Sequence, residues 1–507
     1  MTKKATTLLA VMGLTCFAHI SSVQADEPPS QSTNPNAARV AEYAFFMRPP
    51  RAGKSYDTWA DAAGPDVGEV EVDPARLPSR VDNSARPEFP PVYRQRYGAC
   101  GQYTAAASMF TYEMNVLNGT KADADERRFP ATFSWNMMNR AENNGSEAYH
   151  GWEVAKRLGI PTVKTYGSVE EKKIGAWPNG YGVWRDAMNY RVNGYRYTPA
   201  QTVEQLNEAR GWLYDRNQPA ADGAEVAGGL FAMDGRMGKR EVISKVTKTI
   251  PEGEYAEGQD VWIGWSESGH GHGMTCAGYD DNVGFDVNGD GQITNDKDIN
   301  GDGEVTLADW ERGAYLVVNS WGKKWSGDGK IYLLYSAMID PTWKRGRYLG
   351  RVEVSRSAPR MTLRLKLSCN DRTDLLTTVG LAGNPKADEP EHTFAPEILN
   401  GWPVFGRSGP GHVPLAGPGD DTPLELGVDL TALVDQLGPD QDGDSRLFLS
   451  FSSKDGSKAV GEVLEAAVRR YDADGVFIYE RPIKIDNGAF GEDELTISTV
   501  VTGAGTP

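Results

Sequence analysis

Three separated stretches of the chain hold side chains able to do covalent chemistry together. The first, Gln95-Arg96-Tyr97-Gly98-Ala99-Cys100-Gly101-Gln102, puts a thiol where a helix is expected to begin. Unsatisfied N–H groups and the dipole at a helix N-terminus stabilise a thiolate. The second, Gly271-His272-Gly273-Met274-Thr275-Cys276-Ala277-Gly278-Tyr279, supplies an imidazole, with His270 as a rival two residues earlier. Imidazole exchanges protons near neutral pH. The third is an apolar run, Tyr315-Leu316-Val317-Val318, leading into Asn319-Ser320-Trp321-Gly322. Thiol, imidazole and an orienting amide are the parts of a nucleophilic acyl-transfer site. Taken singly each is ordinary: most lone cysteines are inert core residues, and glycine-flanked histidines often sit in loops.

A second constellation is acidic. Asp286-Val287-Asn288-Gly289-Asp290-Gly291-Gln292 and Asp298-Ile299-Asn300-Gly301-Asp302-Gly303-Glu304 both read D-x-N-x-D-G and repeat at a 12-residue interval. This is the front of an EF-hand-type loop. Oxygens at positions 1, 3 and 5 meet a hard cation, glycine at 6 allows the sharp turn, and position 7 (Gln292, Glu304) gives its carbonyl. Position 12 is Asp309 in the second loop but Lys297 in the first, where Asp296 or Asp298 would have to substitute. Structural Ca2+ is therefore expected in residues 286–309, with no cofactor for the chemistry. The cluster Asp440, Asp442 and Asp444 reads more simply as a turn.

The elements that must position these groups are legible in outline. Tyr103, Ala107, Phe110 and Met114 fall at helical spacing, so a buried helix follows Cys100. Gly151, Val154, Ala155 and Leu158 mark a second helix, stopped by Gly159 and Pro161. Strands are expected at 315–318 and 331–334. Helices first and strands later suggest two lobes. Beyond 350, alternation in Met361–Cys369, Leu424–Val428, Leu447–Phe451 and Leu495–Ile497 predicts half-buried strands, most simply a β-sandwich. The expected class is α+β: residues 77–350 as a two-lobed domain, residues 351–507 as the sandwich.

Composition narrows the partners. The 507 residues carry a formal charge of −17. An acidic surface repels phosphate backbones and anionic lipid, so nucleic acid is not an expected partner. Lys3 and Lys4, an apolar run from Leu8 to Ile20, and Val23-Gln24-Ala25 read as a cleavable export signal over 1–25. The run is too short for stable membrane insertion. Export, to periplasm or beyond, is the expected localisation. Residues 26–76, rich in Pro and Gly, read as a linker or small pro-segment with a short helix near 37–46. Removing the signal leaves Cys100, Cys276 and Cys369. The last two form either a disulfide or a pair of buried thiols, and their inward strand positions favour thiols.

The order Gln, Cys, His, Asn-Ser-Trp-Gly resembles the papain-like cysteine peptidases over residues 77 to 345. His272 stands at that family's interval before Gly278-Tyr279, which favours it over His270. Asn143-Asn144-Gly145-Ser146 resembles the family's cleft-wall loop, which makes Gly145 and Ser146 substrate-binding candidates. Leu77–Asp82 and Pro90–Gln95 resemble its N-terminal strand and the approach to the nucleophile. The resemblance implies a peptide or protein substrate cut through an acyl-enzyme. Cys100 would be the nucleophile, paired as thiolate with protonated His272, Asn319 the orienting residue, and Gln95 an oxyanion-hole donor with the Cys100 backbone N–H. Trp321 would shield the Asn–His bond. The chain departs from the family at Gly101, where a Trp is usual, at Tyr97 and Asn143, where a disulfide pair is usual, and in a Gln95 spacing one residue short. The departures at Gly101 and Gln95 leave one alternative, a catalytically weak homologue that binds peptides or glycans. The other is an acyl transferase, since the same chemistry serves with an amine in place of water as acceptor. The C-terminal domain is expected to bind a surface glycan or protein.

Overall fold

A computed structural model describes residues 73–502, apart from 140–142, 168–172, 216–226, 238–242, 246–247, 250–257, 266–268, 341–343, 403–411 and 439–442. The expected export signal, nearly all of the expected pro-segment, the helix near 37–46, and Asp440 and Asp442 lie outside the described residues. Among the described residues the fold is mixed α+β with three sheets.

The nucleophile helix runs continuously from Cys100 to Asn118. It opens as an α-turn over Cys100–Gln102, is π-wound over Tyr103–Phe110, and returns to α over Thr111–Asn118. Gly119, at φ 60°, ends it in the left-handed conformation that glycine adopts freely. All four residues expected to be buried, Tyr103, Ala107, Phe110 and Met114, are. The π-winding was not legible from spacing. It turns so much of the helix inward that Thr104, Thr111 and Asn115 are buried as well. Helices Ala131–Met138, Ala148–Arg157 and Tyr181–Ala187 pack around it.

The large sheet has ten strands. Its main path runs Tyr190–Pro199, Tyr348–Arg356, Phe231–Met237, His270–Gly284, Arg312–Val318, Lys330–Leu334, Asp260–Trp262 and Ile243–Lys245. Neighbours are antiparallel except Asp260–Trp262 against Lys330–Leu334. Arg80–Asp82 adds to this sheet by pairing with Gly278–Asp280, which ties the start of the described chain to the histidine strand. The boundary expected at 350 falls within the strand Tyr348–Arg356, which pairs with Tyr190–Pro199 along its whole length.

The later strands form two antiparallel sheets. One holds Leu424–Asp429, Met361–Cys369, Gly461–Tyr471 and Phe477–Ile483, with Ala489–Phe490 off the path. The other holds His392–Phe394, Leu375–Ala382, Ser445–Ser453 and Leu495–Val501. Leu363, Leu365, Leu367, Leu447, Leu449 and Phe451 are buried in register with their alternation, and the Phe451 and Phe490 rings meet across the sheets at 5.8 Å.

These sheets share one hydrophobic cluster with the helices around Phe110, Phe133 and Trp152. Polar groups bind the two parts together. Arg372, fully buried, donates to the carbonyls of Gly175 (3.0 Å) and Asn139 (2.9 Å) and lies 4.4 Å over Trp177. The Tyr181 hydroxyl meets those of Thr362 and Tyr471 at 2.6 Å each. A buried charge of this kind is tolerated because hydrogen bonds replace its hydration. No helix among the described residues is long and apolar enough to cross a membrane.

Candidate active site

Three elements converge on Cys100. The histidine strand comes so close that a Cβ on Gly273 would stand 3.0 Å from the Cα of Gly101. On the other side, a Cβ on Gly101 would stand 2.9 Å from the Ser146 carbonyl carbon and 3.1 Å from that of Glu147. Gly101 is therefore where the cleft-wall segment rests on the nucleophile helix, and any side chain there would wedge the two apart. Gln102 fixes this contact. Its Nε2 donates to Ser146 Oγ and to the Glu147 carbonyl, both at 3.0 Å, and its Oε1 accepts from Ser134 Oγ at 2.7 Å.

His272 is buried, whereas His270 is exposed. His272 Nε2 lies 2.8 Å from Asn319 Oδ1. The same oxygen accepts the Ser320 backbone N–H at 2.7 Å, which fixes that atom as the acceptor. Nε2 therefore carries the proton, and Nδ1 is the nitrogen left to exchange a proton with substrate or thiol. The Trp321 ring covers the imidazole at 4.7 Å between centroids and packs edge-on against Trp325 at 5.3 Å. Such cover keeps water from competing for the Asn–His bond.

Cys100 is partly exposed, and the nearby backbone amides of Gly273 and Gly101 favour its thiolate. Burial pushes its thiol up, and burial pushes the His272 imidazole down, against the bond to Asn319. Each shift is the cost of making one charge alone in a dry cleft. Cys276 and Cys369 are unbonded, buried thiols, pushed up to about 12 and about 11. The disulfide alternative therefore gives way to the thiol reading.

Gln95 is held in place from both sides. Its N–H donates to the Ser320 carbonyl at 2.6 Å, its Oε1 accepts from Ser320 Oγ at 2.6 Å, and its Nε2 donates to the Tyr97 carbonyl at 3.0 Å. Within this loop Tyr97 takes φ 59°, a conformation rare for a side-chain-bearing residue. Tyr97 stacks on Trp135 at 5.2 Å and 2°. The Asn143 side chain accepts the Gly98 N–H, and Trp135 Nε1 donates to the Asn144 carbonyl at 2.9 Å. Gly145 stands exposed beside Gly98. The cleft wall and the loop before Cys100 are thus joined without a covalent bond. Sequence reasoning missed Gln102, Ser320, Asn143 and Trp135. Gln102, Ser320 and Asn143 stood within stretches it had marked, without the roles they take here; Trp135 did not.

The acidic loops join the far ends of the strands His270–Gly284 and Arg312–Val318. Thr275 faces Val318 near the site and Gly284 faces Arg312 near the loops, roughly 20 Å apart at 3.4 Å per residue along Arg312–Val318, the extra residues of the histidine strand being taken up in its register shifts. In the second loop Asp309 Oδ1 accepts from Ile299 and Asn300 N–H, and its Oδ2 from Thr306 N–H. Those are positions 2, 3 and 9. In the first loop Glu311 accepts from the same three positions, Val287, Asn288 and Thr294. Glu311 thus fills the place left by Lys297, which instead bonds Asp290 and Gln292; Asp296 pairs locally with Thr294. Sequence reasoning missed Glu311 because it lies past the second loop. Gly291 and Gly303 take the positive φ that position 6 requires, 80° and 94°. Asp286, Asn288, Asp290, Asp298, Asn300 and Asp302 all turn toward backbone N–H groups. Among the described residues no three His, Cys, Asp or Glu side chains converge as a metal cluster.

No protein-family model matches this sequence, and neither does any curated protein sequence. Among solved structures, xylellain, a cysteine protease from Xylella fastidiosa, overlaps at 17% identity, covering 58% of this chain and 94% of its own, with a TM-score of 0.32. Procathepsin B S9 from Trypanosoma congolense overlaps at 12% identity, covering 58% and 84%, TM-score 0.34. The bromelain protease from Ananas comosus overlaps at 14% identity, covering 55% and 99%, TM-score 0.33. Overlaps of this quality establish no shared activity.

Proposed function

We propose that this chain is an exported cysteine peptidase of papain-like architecture, cutting peptide bonds through an acyl-enzyme on Cys100. The single observation that carries the reading is the His272–Asn319 bond beside Cys100: a buried imidazole, oriented through Nε2, on a strand packed against the nucleophile helix. The Cys100 sulfur attacks the scissile carbonyl while Nδ1 of His272 takes the thiol proton. The same nitrogen then protonates the leaving amine and, in the second half, activates water. Gln95 and the Cys100 backbone N–H are the oxyanion donors of this proposal, with Gly145 and Ser146 lining the substrate cleft. The sheets of 361–501 are read as a β-sandwich fixed to the peptidase. Calcium belongs to the proposal as a structural ion. The all-oxygen donor set suits it, with Asp286, Asn288, Asp290, the Gln292 carbonyl and Glu311 for one site. Asp298, Asn300, Asp302, the Glu304 carbonyl and Asp309 would hold the other. The test is peptide hydrolysis by the purified protein beside Cys100→Ala, His272→Ala and His270→Ala. The expected result is activity lost with Cys100 or His272 and kept with His270→Ala. Activity that survives His272→Ala and dies with His270→Ala overturns the assignment.

A further inference from the structure

Behind the candidate triad lies a small cavity that the acyl-transfer steps do not use. Its volume is about 10 Å³, room for one water molecule. Each of the three elements that carry the site contributes to its wall. Thr104 and Ser108 come from the nucleophile helix, Thr275 from the histidine strand three residues past His272, and Asn319 from the end of the strand Arg312–Val318.

The polar atoms of this wall lack partners. Thr104, Thr275 and Asn319 are 2%, 1% and 2% exposed. Asn319 Oδ1 is engaged by His272 and by the Ser320 N–H, but its Nδ2 is buried and meets no acceptor among the described residues. A threonine within a helix ordinarily returns its hydroxyl to a carbonyl about one turn back. Thr111 does this, donating to the Ala106 carbonyl at 3.3 Å. The hydroxyls of Thr104, Ser108 and Thr275 have no hydrogen-bond partner among the described residues. Leaving a buried amide donor unpaired costs more than a made hydrogen bond returns. An internal water needs space and about two to four polar partners, and hydroxyls can serve it as donor or acceptor. This cavity supplies both.

We propose that the cavity holds an internal water that accepts from Asn319 Nδ2 and is bonded in turn to the hydroxyls of Thr104 and Thr275. Those two threonines are then positioning residues for His272. The water ties down the far side of the amide whose Oδ1 holds the imidazole. An amide turned end for end would present its NH2 to the His272 Nε2–H and to the Ser320 N–H, donor against donor, and the water opposes that rotation. The consequence for turnover rests on the acyl-transfer reading above; the water and its partners do not.

The test has two arms. The first is a high-resolution crystal structure of the wild type and of the double variant Thr104→Val with Thr275→Val, since valine keeps the shape of threonine and removes the hydroxyl. The wild type should show one ordered water within about 3.2 Å of Asn319 Nδ2, and the double variant should lose it. A dry cavity in the wild type, or a water that stays in the variant, overturns the proposal. In the second arm the His272 Nε2–H is followed by NMR in protein carrying isotope-labelled histidine. Its exchange with solvent should quicken by about twofold to tenfold in Thr275→Val, the effect of one hydrogen bond, and return toward the wild-type rate in Thr275→Ser. Turnover should fall by the same factor in kcat with KM unchanged, because only the orientation of the base is altered. A hydroxyl with a merely structural role would lower Tm and leave exchange and kcat as they were, and that result also overturns the proposal. If the water and the exchange behave as stated and no peptide is cut, the peptidase reading fails while this inference stands.

Discussion

Gly101 offers the sharpest test of how the cleft is built. Its missing side chain lets the segment Ser146–Glu147 lie on the nucleophile helix, with backbone atoms already 2.9 and 3.1 Å from where a Cβ would stand. Neither side can yield cheaply. The segment is tied to the helix through Gln102, and the helix is pinned from behind by Gly273. Gly101→Ala should therefore cost about 1–3 kcal/mol, the usual range for overpacking a tight contact. For a chain of 507 residues unfolding as one unit, that lowers Tm by roughly 1 °C per kcal/mol. The strain falls on the cleft wall, so Cys100 should also alkylate at a changed rate. Differential scanning calorimetry and iodoacetamide kinetics on the wild type and Gly101→Ala would show both. An unchanged Tm with unchanged Cys100 labelling would refute the packing argument. It would also remove the packing reason for a glycine at this position.

Other outcomes follow from the same contacts. Arg372→Met leaves the Gly175 and Asn139 carbonyls without their donor and should lower stability by about 3 kcal/mol, measured by urea unfolding; expression of residues 73–356 alone should give insoluble protein, because it exposes the shared core. Calcium should raise Tm relative to EDTA, by an amount that grows with its excess over Kd, and Glu311→Gln should shrink that rise; no shift in the wild type would refute the calcium reading. Burial lowers the His272 pKa below its ordinary 6.5, so the unfolded chain takes up more protons in acid. Stability from this group is present above pH 6.5 and is lost as pH falls below it; urea midpoints at pH 7.5 and 5.5 should differ less in His272→Gln.

The local elements that hold the candidate site residues were more legible than the architecture around them. Cys100, His272 and Asn319 were legible because each sits in a short motif whose local structure follows from its neighbours: a helix start, and two apolar strands. Strands such as Met361–Cys369 were legible because alternation is a local signal. Long-range pairings were not. Nothing near Arg372 in sequence announces Asn139, and nothing near Lys297 announces Glu311. The boundary at 350 missed the strand Tyr348–Arg356 because its partner lies at 190–199, outside any window in which the pattern could be read. The π-winding of Tyr103–Phe110 was hidden because a run of small and apolar residues fits α and π spacing equally.

The central claim is that Cys100 forms the covalent bond, and trapping the acyl-enzyme tests it most directly. The protein would be mixed with an activated peptide ester, quenched in acid within milliseconds to seconds, and its mass mapped by proteolysis. The account predicts one acyl group on the fragment containing Cys100, none in Cys100→Ala, and slow formation in His272→Ala. Acylation of another residue, or peptide hydrolysis that continues in Cys100→Ala, would contradict it.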